Sequence, residues 1–401
     1  MTNNNKLWQA STASTLHPAI EHYTVGDDQL LDQKLLGYDI TATRAHAHML
    51  STIGVLSDDE YQQLAHALDR LHTDWQQGDF VVDDRFEDGH TAIELYLTER
   101  LGDIGKKVHT GRSRNDQALV MMRLYLKDQL QCVATALAAT VDAYRTQQRQ
   151  FADLPMPGYT HTQKAMPTTV STWLESYGDA FANLTSYVDA SLAAIDKNPL
   201  GSAAGFGVSL PLDRQMTTEE LGFAQVQENP LYCGLSRGTF ELIAVQALNP
   251  IMVFAGKFAS DMILFTTQEF NFFALPASMT TGSSIMPHKR NYDVFEIMRA
   301  RAHGFAHHTF QLQAVSTGVG SGYHRDLQLT KHVTISAFEI AIETLEVLAL
   351  CVAHLTPHED NLRAAMTDEL YTVAEINKLV EQGIPFRDAY RQVKQRLNQS
   401  S

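Results

Sequence analysis

Apolar residues in the middle of the chain recur in steps of three and four. Between Arg112 and Leu154 there is neither Gly nor Pro, and Leu119, Met122, Leu126, Leu130, Val133, Leu137, Val141 and Tyr144 trace one seam. That is the spacing of a helix face packed lengthwise on its neighbours. A helix of about 35 residues extends roughly 50 Å, longer than a small compact domain needs, which points to a bundle. Thr168 to Lys197, interrupted only by Gly178, predicts a second long helix, and the stretch from Pro250 to about Ala274 a third. A fourth runs from about Asp326 to Leu355, with Ile335, Phe338, Ile342, Leu345, Ala349 and Val352 on one face. No alternating pattern of comparable strength marks strands. The predicted fold is all-α, a central bundle of long helices flanked by smaller helical domains.

Polar and Gly-rich breaks divide the chain. Residues 1–111 form an N-terminal domain of shorter helices, among them Asp58 to Trp75, led by Ser57 as N-cap with Glu60 three residues on. The bundle occupies 112–356. Pro357 then introduces a short C-terminal segment, 357–401, with helices around Asp360 to Met366 and Tyr371 to Gln382.

Composition narrows the function. A chain of 401 residues exceeds what one hydrophobic core serves, and 44% hydrophobic with 19% charged residues describes a globular protein. No run of about 18 uncharged apolar residues offers a membrane span. The start, Met1 to Lys6, lacks the apolar core of a secretory signal, and Cys132, Cys233 and Cys351 are few and far apart, so a cytoplasmic location is expected. No Cys/His set has ligand spacing, so neither a metal nor a cofactor is implied. A net charge of −15 argues against a nucleic-acid surface. Positive charge is concentrated locally, at Lys106, Lys107, Arg112 and Arg114, at Lys289-Arg290, and at Arg325 with Lys331, which suits a small anionic substrate.

Three polar runs stand at helix junctions, where loops on a rigid scaffold carry chemistry. Thr281-Gly282-Ser283-Ser284-Ile285-Met286-Pro287-His288-Lys289-Arg290-Asn291 joins a flexible Gly, two hydroxyls, a cation and an amide; it reads as an oxyanion-holding loop or as a polar surface loop. His109-Thr110-Gly111-Arg112-Ser113-Arg114-Asn115-Asp116-Gln117 opens the first long helix. There the N–H groups and dipole would reinforce two arginines in holding a carboxylate, the alternative being a capped helix with exposed charges. Gly158-Tyr159-Thr160-His161-Thr162-Gln163 precedes the second, with His161 as catalyst or as an ordinary hydrogen-bonding residue.

Together these runs resemble the argininosuccinate lyase family of the aspartase/fumarase superfamily. The first matches the superfamily's G-S-S-x-M-P-x-K-x-N signature, the second is the most discriminating, and the third resembles the family's G-Y-T-H-x-Q. Leu7-Trp8, Glu87-Asp88 with His90-Thr91 and Glu94, Pro199 to Ser202, Asp213-Arg214, and Tyr323, Asp326, Gln328 and Lys331 support them. The resemblance implies reversible elimination of argininosuccinate to arginine and fumarate. It implies Ser283 as the reactive hydroxyl, and His161 assisting proton delivery to the guanidinium leaving group with Glu296 as its charge partner. Lys289 and Asn291 would hold the carboxylate as it becomes an aci-carboxylate dianion. Which of Ser283 and His161 is acid or base stays open. Substrate contacts implied in the same way are Ser113, Arg114, Asn115, Thr160, Tyr323, Gln328, Lys331, Arg237 and His90, in a homotetramer whose sites several chains share.

The chain departs from the family pattern at four places. Val25-Gly26-Asp27-Asp28-Gln29 stands where the family has N-A-S-I, placing Asp28 among the substrate contacts. Gly238 replaces an aspartate expected after Arg237. Pro287-His288-Lys289-Arg290-Asn291-Tyr292 replaces P-Q-K-K-N-P, and the C-terminal segment is short for the family. The competing readings are a sister lyase that releases fumarate from another N-substituted aspartate, and an inactive crystallin-like descendant.

Overall fold

A computed structural model describes residues 16–400; the Leu7-Trp8 pair lies outside the described residues. The four long helices form at Arg114–Gln150, Val170–Ile195, Leu248–Phe265 and Thr330–Ala353. Along the first, every seam residue is buried except Val141, which is half-buried. The third stops at Phe265 rather than near Ala274. Thr266 and Thr267 turn their hydroxyls onto the carbonyls of Met262 and Leu264, and Asn271 adopts a φ of 44°, both of which interrupt helical propagation. The fourth starts at Thr330, because Arg325–Leu329 tightens into a 3-10 turn. A further helix, Phe386–Ser400, follows the predicted tail helices and packs Ala389 and Val393 against Ile376.

The chain folds as two compact units. The first takes the chain up to Val133, Tyr187–Asn249 and Ala306–Glu339; the second takes Ala134–Ser186, Pro250–Phe305 and Ile340–Ser401. The divisions fall within the long helices, each of which contributes residues to both units.

In the first unit the helix Asp28–Thr52 packs against Asp58–Gln77 and Gly89–Leu101 around Leu36, Leu50, Leu64, Leu68, Ile93 and Leu97. Close approach is possible because Gly37 has no side chain: a Cβ there would lie 2.7 Å from the Trp75 ring. The predicted cap forms in full, with Ser57 Oγ accepting from Glu60 N at 3.2 Å and Glu60 Oε2 accepting from Ser57 N at 2.9 Å. Arg123, buried, donates to the carbonyls of Ile195 and Lys197 and so ties the end of one long helix to the flank of another.

The second unit is built on aromatic side chains. Trp173 stacks on Phe273 at 5.0 Å and on Phe258 at 5.6 Å, and Tyr144 meets Phe258 edge-on at 5.5 Å. A β-hairpin, Pro155–Thr160 paired antiparallel with Gln163–Thr169, belongs to it. Periodicity gives no sign of this hairpin, because its second strand is mostly exposed and has no buried face to demand alternating apolar residues. The stretch Thr239–Phe265 is long and apolar enough to cross a membrane by length and composition. More than half of it is buried among protein side chains, as in a core helix.

Candidate active site

In the second unit, Thr281 and Gly282 pair antiparallel with Asn291 and Arg290, so the signature run becomes a loop closed at its base by a short ladder. Ser283 Oγ accepts two backbone N–H groups, from Met286 at 3.1 Å and Ile285 at 3.3 Å. Two donors aimed at one hydroxyl oxygen favour its anionic form, which a serine must approach to act as a base. Asn291 turns its amide toward Thr281 Oγ1 and the Gly282 carbonyl, each at 3.4 Å, and Thr281 Oγ1 donates in turn to Asp293. Lys289 is exposed, with its backbone N–H on the Met286 carbonyl at 3.0 Å. Glu296 is exposed on the next helix, Asp293–Gly304.

His161 and Thr162 form the tip of the hairpin, flanked by the paired Thr160 and Gln163. Both tip residues have positive φ, 52° and 58°. A two-residue hairpin loop of this kind ordinarily uses Asn and Gly, and a β-branched Thr there is strained. Strain held at a tip presenting an exposed imidazole is the sort found where function requires a fixed presentation. Among the described residues, no hydrogen bond or ion pair joins His161 to Ser283 or Glu296.

The remaining candidates lie in the first unit, where the chain's own carboxylates hold several of them. Ser113 and Asp116 both cap the start of the first long helix: Asn115 N donates to Ser113 Oγ at 3.3 Å and Ser113 N to Asp116 Oδ1 at 2.8 Å. Asp116 Oδ2 also accepts from Gly201 N at 3.1 Å and Ala203 N at 3.0 Å, so this helix N-terminus already holds a carboxylate. Nor do the two arginines act together there. Arg112 is buried, donating to Thr43 Oγ1 at 3.0 Å with Asp39 at 3.9 Å. Arg114 is partly exposed between Asp88 at 3.7 Å and Glu94 at 3.6 Å. Burial acts to raise the Asp88 carboxyl, but His90, Arg114 and the Thr91 hydrogen bonds outweigh it and hold the pKa below its ordinary value. His90 is buried against Asp39, with Nδ1 2.5 Å from Oδ2. Beneath the same run, His46 Nε2 meets the Thr110 carbonyl at 2.9 Å; burial and the neighbouring Arg112 push its pKa down to about 3.

Arg237 stacks its guanidinium over the Tyr323 ring, 4.7 Å from the centroid. With Asn115 these two line a narrow cleft walled by Leu119, Ala203 and Leu231. Arg237 Nη1 is buried and has no hydrogen-bond partner among the described residues. Gly238 follows at φ 79°, and a Cβ there would fall 2.2 Å from Ser316 Oγ. The missing aspartate therefore has a steric explanation. Gln328 donates to the carbonyls of Thr24 at 2.9 Å and Val25 at 3.1 Å, while Lys331 Nζ lies 2.7 Å from Asp32 Oδ1 and 3.2 Å from Asp28 Oδ1.

Sequence reasoning passed over Asp32 and Asp39, and took Asp88 and Asp116 only as parts of matching runs. A signal existed for two of them: Asp28, Asp32, Asp39, Thr43 and His46 recur in helical steps along Asp28–Thr52, a polar stripe among buried leucines. Buried carboxylates on one face require cationic partners.

The fold matches solved lyase structures. EDDS lyase in complex with formate superimposes with a TM-score of 0.80 at 23% identity over 95% of this chain and 76% of that one. A class II fumarase from Schistosoma mansoni gives 0.79 at 16%, over 93% and 91%. Residues 19–304 match the family described simply as Lyase. A bundle of long helices carrying the Gly282–Asn291 loop thus defines a lyase of the aspartase/fumarase superfamily. An argininosuccinate lyase from Xanthomonas oryzae pv. oryzae is 45% identical over 387 residues, covering 96% of this chain and 89% of that protein. The chain belongs to the argininosuccinate lyase family.

Proposed function

We propose that the chain cleaves argininosuccinate reversibly to arginine and fumarate by removing a Cβ proton and expelling the guanidinium nitrogen. The observation that carries this reading is Ser283 Oγ under two backbone N–H donors, in a loop that also presents Lys289 and Asn291. Removing a proton beside a carboxylate piles charge onto an already anionic group. Lys289 and the Asn291 amide supply preorganised positive potential for that dianion. Ser283 takes the proton, and His161, presented at the hairpin tip, delivers one to the departing nitrogen, with Glu296 as its counter-charge. Arg114, Ser113, Asn115, Thr160, His90, Arg237, Tyr323, Gln328, Lys331 and Asp28 form the recognition set. The working form is a homotetramer in which different copies contribute the catalytic and recognition residues to one site. The test follows fumarate by its ultraviolet absorbance with a panel of aspartate adducts. Argininosuccinate should be consumed at kcat/KM of roughly 10⁴ M⁻¹s⁻¹ or above; turnover confined to another adduct would overturn the assignment.

A further inference from the structure

Asp28, where the family pattern has a serine, does not stand free. Its carboxylate lies 3.2 Å from Lys331 Nζ, whose other partner, Asp32, is at 2.7 Å and is itself fixed by the Gly89 N–H at 2.9 Å. Two carboxylates therefore surround one ammonium. Asp88 adds negative potential at Asp28, and Arg237 is the cation facing Lys331. The donors beside the cluster are also engaged. Gln328 gives its amide to the Thr24 and Val25 carbonyls and accepts from Arg325 Nε at 3.0 Å, while Arg325 Nη2 donates to the Thr24 carbonyl, also at 3.0 Å. The side chain of Asp28 is 13% exposed, against 5% for Lys331 and 1% for Asp32, so an approaching ligand meets the carboxylate before the ammonium.

We propose that Asp28 is a specificity-determining residue that withdraws Lys331 from carboxylate recognition and turns this corner of the recognition set toward a cationic group, so that it receives the amino-acid half of the substrate rather than the fumarate half. The proposal rests on the reaction assigned above for the identity of those halves. The physical reason is local charge balance. With a serine at this position Lys331 would be paired one-to-one with Asp32 and keep a donor for a ligand carboxylate, whereas Asp28 takes up that donor and leaves the cluster with one carboxylate in excess. The α-ammonium or the guanidinium of arginine supplies what that excess requires.

Equilibrium binding separates this from the reaction itself. Arginine, Nα-acetylarginine, which lacks the ammonium, citrulline, which lacks the guanidinium charge, and fumarate are each titrated calorimetrically into the full-length protein, natural and Asp28→Asn. In the natural protein, deleting one of the two positive charges should weaken binding about ten-fold, the size of one charged hydrogen bond. In Asp28→Asn that penalty should largely disappear, with arginine weakened and fumarate unchanged or tighter; Asp28→Glu should restore it. Equal affinity of the natural protein for arginine and both charge-deleted analogues would overturn the proposal even if Asp28→Asn failed to fold. So would a folded Asp28→Asn protein that kept the full penalty. An absence of fumarate release from argininosuccinate would instead strike at the assigned reaction and leave these binding results to stand.

Discussion

Replacing Gly238 by alanine, and then by the aspartate that the family pattern leads one to expect, probes the packing beneath the recognition pocket. Gly238 has φ 79° and ψ −39°, a conformation in which a Cβ crowds its own backbone, costing about 1–2 kcal/mol. The new Cβ would also lie 2.2 Å from Ser316 Oγ and 3.2 Å from Leu327 Cδ2. Rotation of the serine hydroxyl relieves the first overlap but not the second, so overpacking adds about 1–3 kcal/mol. The sum for Gly238→Ala is a loss of roughly 2–5 kcal/mol. Gly238→Asp should lose more, because its carboxylate enters beside Glu241, whose Oε2 accepts the Gly238 N–H at 2.7 Å. Urea unfolding followed by tryptophan fluorescence measures both, in the natural background and in Ser316→Gly. The serine deletion should recover part of the overpacking and leave the backbone cost and the Leu327 contact, so that Gly238→Ala in Ser316→Gly remains at least about 1–2 kcal/mol below its parent. A Gly238→Ala protein within about 0.5 kcal/mol of the natural one would refute the argument, since that is the range of an inconsequential surface change.

Ser283→Ala should abolish turnover while leaving assembly intact, because the residue lies on a loop and contributes little to packing; retention of more than about a tenth of kcat, a barrier change of only ~1.4 kcal/mol, removes Ser283 from proton transfer. Mixing inactive His161→Ala and Lys289→Ala proteins, dissociated and re-associated together, should restore part of the activity if the two residues of one site come from different copies. No recovery in a properly mixed assembly counts against shared sites. His46 makes the fold acid-sensitive. Its folded pKa of about 3 lies below the ordinary 6.5, so the unfolded chain binds the extra proton. The contribution is complete above about pH 6.5 and is lost as pH falls toward 3, at about 1.4 kcal/mol per unit. His46→Gln should therefore flatten the loss of stability between pH 7 and pH 5 by about 2 kcal/mol, and an unchanged slope would exclude His46 as its source.

What the sequence determined by itself is local and periodic. The seam from Leu119 to Tyr144 is legible because a helix face repeats within a few residues, and the Ser57–Glu60 cap because both partners lie within one turn. The lyase signature is legible because the Gly282 loop is contiguous, its chemistry depending on a short run of backbone. The His161 hairpin escaped notice because its exposed strand imposes no pattern. Tertiary structure alone decided which charges meet. Lys331 and Asp32 are 299 residues apart in sequence and 2.7 Å apart in space, and Asp116 reaches the turn at Gly201 across 85 residues. No propensity encodes such pairs. A buried cation takes whichever carboxylate the packing of distant helices brings to it, so the pairing of Asp28 with Lys331 is visible only in three dimensions.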